Sequence, residues 1–160
     1  MQLAKAFGAE VTGVASTAKT ELVRSIGADH VIDYTREDFA DGSNRYDVIL
    51  DIAGNRSLSH LRRALAPQGT LVIVGGEGGG KWLGGIDRQL RAHVLSAFGR
   101  QKLGTWISKE RKEDLDALRE LLEAGKVTPV VDRTFPLSEV PEAIRYLREG
   151  RARGKVVIVM

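Results

Sequence analysis

Apolar positions recur along this chain in two patterns, and together they predict strands that alternate with helices. Short, nearly continuous apolar runs, as in YDVILDIAG (46–54), are typical of parallel strands that are covered on both faces. Longer segments with apolar residues at helical spacing, as in EDLDALRELLEAG (113–125), predict amphipathic helices that end at a glycine. The predicted strands are 10–15, 30–34, 46–54, 69–76, 102–108, 130–136 and 155–160, and the predicted helices are 2–7, 17–27, 57–67, 87–98, 113–125 and 137–150.

This alternation predicts the fold class. Strands separated by helices of about ten to fifteen residues indicate βα units, and therefore an α/β fold with a mostly parallel sheet and right-handed crossovers. The composition changes near residues 108–112, where an apolar strand gives way to a charged run. We expect a domain boundary at that change.

Composition and charge exclude several classes of protein. The chain has 160 residues, no cysteine, and a net charge of +3 from 24 basic and 21 acidic residues. Disulfides and thiolate metal sites within the chain are therefore excluded, and the absence of an export signal or a long apolar run favours a cytoplasmic protein without membrane spans. The mild basic excess fits a phosphate-bearing ligand or an ordinary mixed surface. A nucleic-acid partner is disfavoured, because no aromatic residues interleave the basic cluster of Arg151, Arg153 and Lys155.

The residues after the first predicted strand suggest a nicotinamide cofactor. Ligands of doubly wound α/β sheets lie beyond the carboxyl ends of the strands. There, an acidic residue would accept from a ribose 2′-hydroxyl, whereas small hydroxyls with a cation admit a 2′-phosphate. This chain has Ser16, Thr17 and Lys19 at that position, which favours NADP over NAD. The alternative is that Ser16 and Thr17 cap the following helix, and a capped helix start is itself an anion site.

Further candidates follow the other strands, and each has a structural alternative. Asn55 offers an amide at a strand end or caps the next helix, and Gly75 and Gly76 allow close backbone approach to a ligand or form a flexible loop. Tyr34 contacts an adenine or a phosphate, or covers the sheet edge. The three histidines fall on separate elements without metal-ligand spacing, so we expect them to be surface or packing residues.

Four blocks of the chain carry a resemblance to a known family, and they follow one another in the family's order. They are GAEVTGVASTAKTELVRSIGADHVIDYT, YDVILDIAGN, APQGTLVIVGG and LRELLEAGKVTPVVDRTFPLSEVPEAIRYLREGRARGKVVIV. The chain resembles the second half of a medium-chain dehydrogenase/reductase, in particular the zinc-independent NADPH:quinone oxidoreductase-like members. The resemblance implies a Rossmann-like doubly wound parallel sheet over residues 1–108, and a return segment of a GroES-like domain over 109–160.

The resemblance also implies that parts of the family's architecture lie outside this sequence. Family members precede QLAKAFGA (2–9) with a strand and a G-x-G-x-x-G turn that holds the pyrophosphate, and with a GroES-like substrate domain. We expect the sheet to lack its first strand and this turn, since the chain opens inside the first Rossmann helix. Because the missing strand is central in the family's order, we expect self-association through exposed edges or faces.

The site residues implied by the resemblance bind the cofactor. Ser16 and Lys19 would contact the 2′-phosphate with Thr17 beside them, and Tyr34 would lie near the adenosine. The remaining implied cofactor residues are Asn55, Val74, Gly75, Gly76, Thr105, Trp106, Ile107, Arg153 and Lys155. No residue of the chain is a defensible general acid, and none is expected to bind a metal.

The implied function is the cofactor-binding portion of an NADPH-dependent oxidoreductase. In the intact family a hydride passes from NADPH to a quinone, enone or carbonyl substrate, and the cofactor supplies that chemistry. We expect this piece to be inactive or impaired alone. The alternative is a non-catalytic protein-interaction or assembly module on a degenerate Rossmann fold. Titration with NADPH and NADH distinguishes the two.

Overall fold

The computed structural model describes residues 1–53, 56–74, 92, 96, 99–105, 109 and 111–160. Within them the helices are α1 (Gln2–Ala6), α2 (Thr20–Ser25), α3 (Leu58–Ala64), α4 (Lys112–Glu123) and α5 (Val140–Arg148), with 3₁₀ helices at Thr17–Lys19 and Leu137–Glu139. The strands are β1 (Thr12–Ala15), β2 (His30–Asp33), β3 (Tyr46–Asp51), β4 (Leu65–Ile73), β5 (Lys102–Thr105), β6 (Val131–Pro136) and β7 (Lys155–Val159). The predicted helix 87–98 lies almost wholly outside the described residues.

All pairings between these strands are parallel, which confirms the predicted α/β class. Strand β1 pairs with β2, β4 lies between β3 and β5, and β6 pairs with β7. The described strands thus form three sheets. They belong to two compact units, of which the first comprises Met1–Glu37 with Arg111–Met160 and the second Asp38–Glu110. The division into domains at residue 108 stays a prediction.

In the first unit, α2 packs directly on the backbone of β1. A Cβ atom at Gly13 would lie 2.2 Å from Val23 Cγ1, so only glycine permits this approach. Ala15, Val23 and Ala28 form the small buried core beneath the two-stranded sheet. Helix α2 then ends where the sequence predicts, because Gly27 adopts a φ of 96° that other residues rarely adopt. This packing fixes the position of the turn that leaves β1.

A reciprocal contact joins distant parts of the first unit. The side-chain amide of Gln2 in α1 donates to Thr128 O at 3.0 Å and accepts from Thr128 N at 2.8 Å. It thereby pairs both the backbone N–H and the backbone C=O of Thr128, more than a hundred residues away, as a neighbouring strand would. The first helix and the segment after α4 therefore belong to the same compact unit.

In the second unit, one face of the three-stranded sheet is buried, whereas on the other face the residues of β3 are exposed and those of β4 are half-buried. Leu71, Ile73 and Leu103 form a core with residues of α3. On the opposite face of β3, Val48 and Leu50 are 60% and 59% exposed. The expectation that this apolar run is covered on both faces is therefore wrong for the described structure.

The helix predicted over 57–67 is shorter than expected. It ends at Ala64, and the chain enters β4 at once with Leu65 in an extended conformation. The residue before a proline is disfavoured in helical conformation, so the helix does not run on to Pro67. Leu65 is also among the fully buried side chains of the core, and its burial fixes the change of direction.

Candidate functional site

The carboxyl ends of β1 and β2 lie side by side and bring together four of the predicted site residues. Ala15 is in register with Asp33, and Tyr34 N donates to Ala15 O at 3.1 Å. Ser16 and Tyr34, the next residues of each strand, are therefore neighbours. The backbone N–H of Lys19 donates to Ser16 O at 2.8 Å within the 3₁₀ helix. Ser16, Thr17, Lys19 and Tyr34 accordingly share one edge of this sheet.

A buried carboxylate organises this edge. Asp33 is only 8% exposed, and its Oδ2 accepts a hydrogen bond of 2.5 Å from the Thr17 hydroxyl. Its Oδ1 accepts from Thr35 N at 3.0 Å and from the Thr35 hydroxyl at 2.6 Å. Arg36 Nε lies 3.7 Å from Oδ2. The hydrogen bonds from Thr17 and then Thr35 hold the pKa of the Asp33 carboxyl below its usual value, so it is ionised at neutral pH.

This network bears on one of the predicted roles of the first turn, the capping of the following helix. Ser16 precedes the 3₁₀ helix, but its side chain makes no capping hydrogen bond. The Thr17 hydroxyl is directed to Asp33 instead of to the helix start. Side-chain capping by Ser16 and Thr17 is thus excluded. Among the described residues no hydrogen bond or ion pair involves Ser16 Oγ, Lys19 Nζ or Tyr34 OH, which leaves these groups available to a ligand.

The other predicted site residues lie on different elements. Val74 follows β4, and Thr105 ends β5 in register with Ile73, so both belong to the carboxyl edge of the three-stranded sheet. Lys155 begins β7, which pairs with β6, and Arg153 lies two residues before that strand. The predicted residues Asn55, Gly75, Gly76, Trp106 and Ile107 lie outside the described residues.

The basic C-terminal segment is anchored through its backbone. Asp132 Oδ2 accepts from Arg153 N at 3.2 Å and from the Tyr146 hydroxyl at 2.7 Å. The Arg133 guanidinium lies 4.7 Å from the Tyr146 ring centroid, which is a cation–π contact. The Arg153 side chain itself is exposed. The anchoring therefore fixes the chain at Arg153 without engaging the guanidinium that the prediction assigns to a phosphate.

Sequence reasoning singled out Tyr34 but missed Asp33 and Arg36 beside it. The available signal was an aspartate at the end of an apolar strand, with a threonine two residues later. Asp side chains in such positions often accept a hydrogen bond from the backbone N–H two residues on. The bond from Thr17, sixteen residues away, had no sequence signal. In the part of the chain that the structure describes, no group of three or more His, Cys, Asp or Glu side chains could hold a metal ion. No described helix meets the length and apolarity needed to cross a membrane.

Comparison with known proteins gives a consistent set of relatives. A sequence profile described as zinc-binding dehydrogenase matches residues 26–158. The chain is 37% identical to the mitochondrial NAD(P)H oxidoreductase RTN4IP1 of Mus musculus, over 99% of this chain and 43% of that protein. It is 36% identical to the chloroplastic NADPH-dependent alkenal/one oxidoreductase of Arabidopsis thaliana, over 99% of this chain and 36% of that protein.

A solved structure shows the same relationship. The quinone oxidoreductase from Coxiella burnetii superposes with a TM-score of 0.81 at 26% identity, and the match covers 99% of this chain and 47% of that one. The chain therefore spans less than half the length of each of these relatives.

Proposed function

Because this chain belongs to the zinc-binding dehydrogenase family, we propose that it forms the cofactor-binding part of an NADPH-dependent oxidoreductase. In this proposal the edge formed by Ser16, Lys19 and Tyr34 receives the 2′-phosphate of the cofactor. The observation that carries it is chemical: two hydroxyls and an ammonium without protein partners are neighbours in the described structure, and the residue directly after β1 is not acidic.

The residues at this edge would bind and orient the adenosine end of the cofactor. The Lys19 ammonium would neutralise the phosphate, and the Ser16 and Tyr34 hydroxyls would donate to its oxygens. The cofactor, when bound, supplies the hydride. Val74 and Thr105 at the edge of the three-stranded sheet are proposed to border the nicotinamide end, and Arg153 or Lys155 to approach the phosphates.

The substrate class follows from the named relatives and is also a proposal. One relative is named for alkenals and enones, and the aligned structure is a quinone oxidoreductase. We infer a quinone or an α,β-unsaturated carbonyl as hydride acceptor for the whole protein, with impaired turnover by this chain alone. The proposal also includes independence of a metal ion and a cytoplasmic location. The names of two relatives describe those proteins as mitochondrial and as chloroplastic.

Charge reversal at Lys19 tests the site. We expect Lys19→Glu to weaken NADPH binding at least roughly tenfold, the worth of one charge-assisted hydrogen bond, and to change NADH binding less than about twofold. Lys126→Glu is the matched control, because Lys126 is exposed on the segment after α4 and carries the same charge change. Affinities are measured by calorimetric titration. Equal losses for both cofactors would remove the 2′-phosphate assignment.

A second candidate, a protein-interaction module, is favoured by one observation. Val48 and Leu50 on one face of β3, and Ile52 directly after that strand, expose between 59% and 70% of their surface, and exposed apolar surface is typical of protein contacts. Self-association through such a face is part of this candidate. The absence of a saturable response to either cofactor, together with a concentration-dependent mass in light scattering, would favour it over cofactor binding.

A further inference from the structure

The proposed phosphate site contains a buried negative charge that its function does not require. Asp33 is the buried carboxylate between the turn after β1 and the turn after β2. A carboxylate close to a phosphate site is unfavourable unless its charge is engaged elsewhere. Here both oxygens accept hydrogen bonds, from Thr17 on one turn and Thr35 on the other.

We propose that Asp33 is a positioning residue for cofactor selectivity: its carboxylate ties Thr17 to Thr35 and so fixes the turns that carry Ser16, Lys19 and Tyr34. This inference rests on the proposed function. Thr17 lies between Ser16 and Lys19, and Thr35 directly follows Tyr34. Holding these two threonines therefore sets the positions of all three phosphate-binding side chains.

The connectivity at the sheet edge supports this role. The backbone bond from Tyr34 N to Ala15 O follows the last register pair of β1 and β2. Beyond it, the two turns are joined through Asp33, which accepts from the Thr17 hydroxyl on one turn and from the Thr35 hydroxyl and N–H on the other. The side-chain hydrogen bonds thus hold the two chain segments together beyond the last backbone hydrogen bond between β1 and β2.

The network uses both oxygens of the Asp33 side chain as acceptors. Two hydroxyls and one backbone N–H converge on Asp33, and an ionised carboxylate accepts all three. An asparagine would turn an NH₂ group toward the Thr17 hydroxyl, which would then have to accept instead of donate, so the direction of that bond would reverse. The same geometry gives Thr17 a different role from the one predicted, because its hydroxyl hydrogen is committed to Asp33. Thr17 is a positioning residue as well, and it acts on the phosphate through its neighbours.

Two small ligands allow binding of the adenosine end of the cofactor to be measured separately from the rest. 2′,5′-ADP carries the 2′-phosphate and 5′-AMP does not, so the ratio of their affinities reports only the proposed edge. We expect Thr17→Val to weaken 2′,5′-ADP about fivefold, the worth of one hydrogen bond, and 5′-AMP less than twofold. Thr17→Ser retains the hydroxyl and restores the ratio. Asp33→Asn and Thr35→Val lower the ratio in the same way.

Each outcome decides between the positioning role and a merely structural one. Equal losses for the two ligands, or a Thr17→Ser variant that fails to restore the ratio, would show that the network only stabilises the fold. An unchanged ratio in Thr17→Val and Asp33→Asn, with a lower ratio in Lys19→Glu, would overturn the positioning role and leave the proposed function intact. A wild-type chain that does not distinguish 2′,5′-ADP from 5′-AMP would refute both.

Discussion

The unequal burial of the two faces of the second unit's sheet leads to a prediction about leucine truncation. Leu71 in β4 is 0% exposed, whereas Leu50 in β3 is 59% exposed. The two residues lie on neighbouring strands but on opposite faces, since Leu71 is in register with Ile49. The same change, leucine to alanine, therefore compares a buried site with an open one.

The expected costs differ severalfold. Leu71→Ala removes a fully buried side chain and leaves a cavity among Leu61, Leu65 and Leu103, which costs about 2–5 kcal/mol. Burying a whole leucine side chain contributes about 1.5–3 kcal/mol, so the minority of the Leu50 surface that is covered contributes about 1 kcal/mol or less. Against a domain stability of roughly 5–15 kcal/mol, only the first change is severe.

Urea unfolding followed by far-ultraviolet circular dichroism measures both costs. Leu50→Ala is the matched control for Leu71→Ala, and each is compared with wild type at several protein concentrations. Similar losses for the two variants would refute the burial argument, since Leu50 would then have to be covered in solution. A loss at Leu50 that grows with protein concentration would identify a second copy of the chain as the cover.

Two further predictions concern the first unit. The Tyr146 hydroxyl, and then Arg153 N, hold the pKa of Asp132 below its unfolded value of about 3.9. The stabilisation from the ionised Asp132 is fully present above the unfolded pKa and is lost as the pH falls through the folded pKa. We therefore expect the melting temperature of Asp132→Asn to vary less between pH 5 and pH 2 than that of wild type. A parallel pH dependence in thermal denaturation would contradict this. Gly13→Ala places a Cβ atom against Val23 and should lower the free energy of unfolding by about 1–3 kcal/mol. Gly104→Ala is the control and should lower it less, because a Cβ atom there has nothing within 4 Å. Equal urea midpoints for the two variants would contradict the packing described.

Much of the local structure was predictable from the sequence. The strands at Thr12–Ala15, His30–Asp33 and Tyr46–Asp51 lie inside the predicted segments, because apolar runs and glycine signals act over a few neighbouring residues. The family resemblance is confirmed by the profile match over residues 26–158. These features depend on the order of residue types along the chain, which the sequence states directly.

The sheet edge that is proposed to hold the cofactor was only partly predictable. Ser16, Lys19 and Tyr34 could be proposed because residues after parallel strands lie at one edge of a sheet. The buried Asp33 and its bond to Thr17 could not, since that bond depends on the register of β1 against β2. The selectivity for NADPH over NADH stays a prediction, as do the roles of Arg153 and Lys155.

The sequence alone determined the fold class, the family and the residue types at each strand end, because periodicity and motif order are properties of the chain itself. The tertiary structure decided which face of the strand Tyr46–Asp51 is covered, where the helix before Pro67 ends, and which hydroxyl Asp33 engages. Those outcomes depend on contacts between residues far apart in the chain. Their free energies are set by burial and hydrogen-bond geometry, which exist only once the elements have packed.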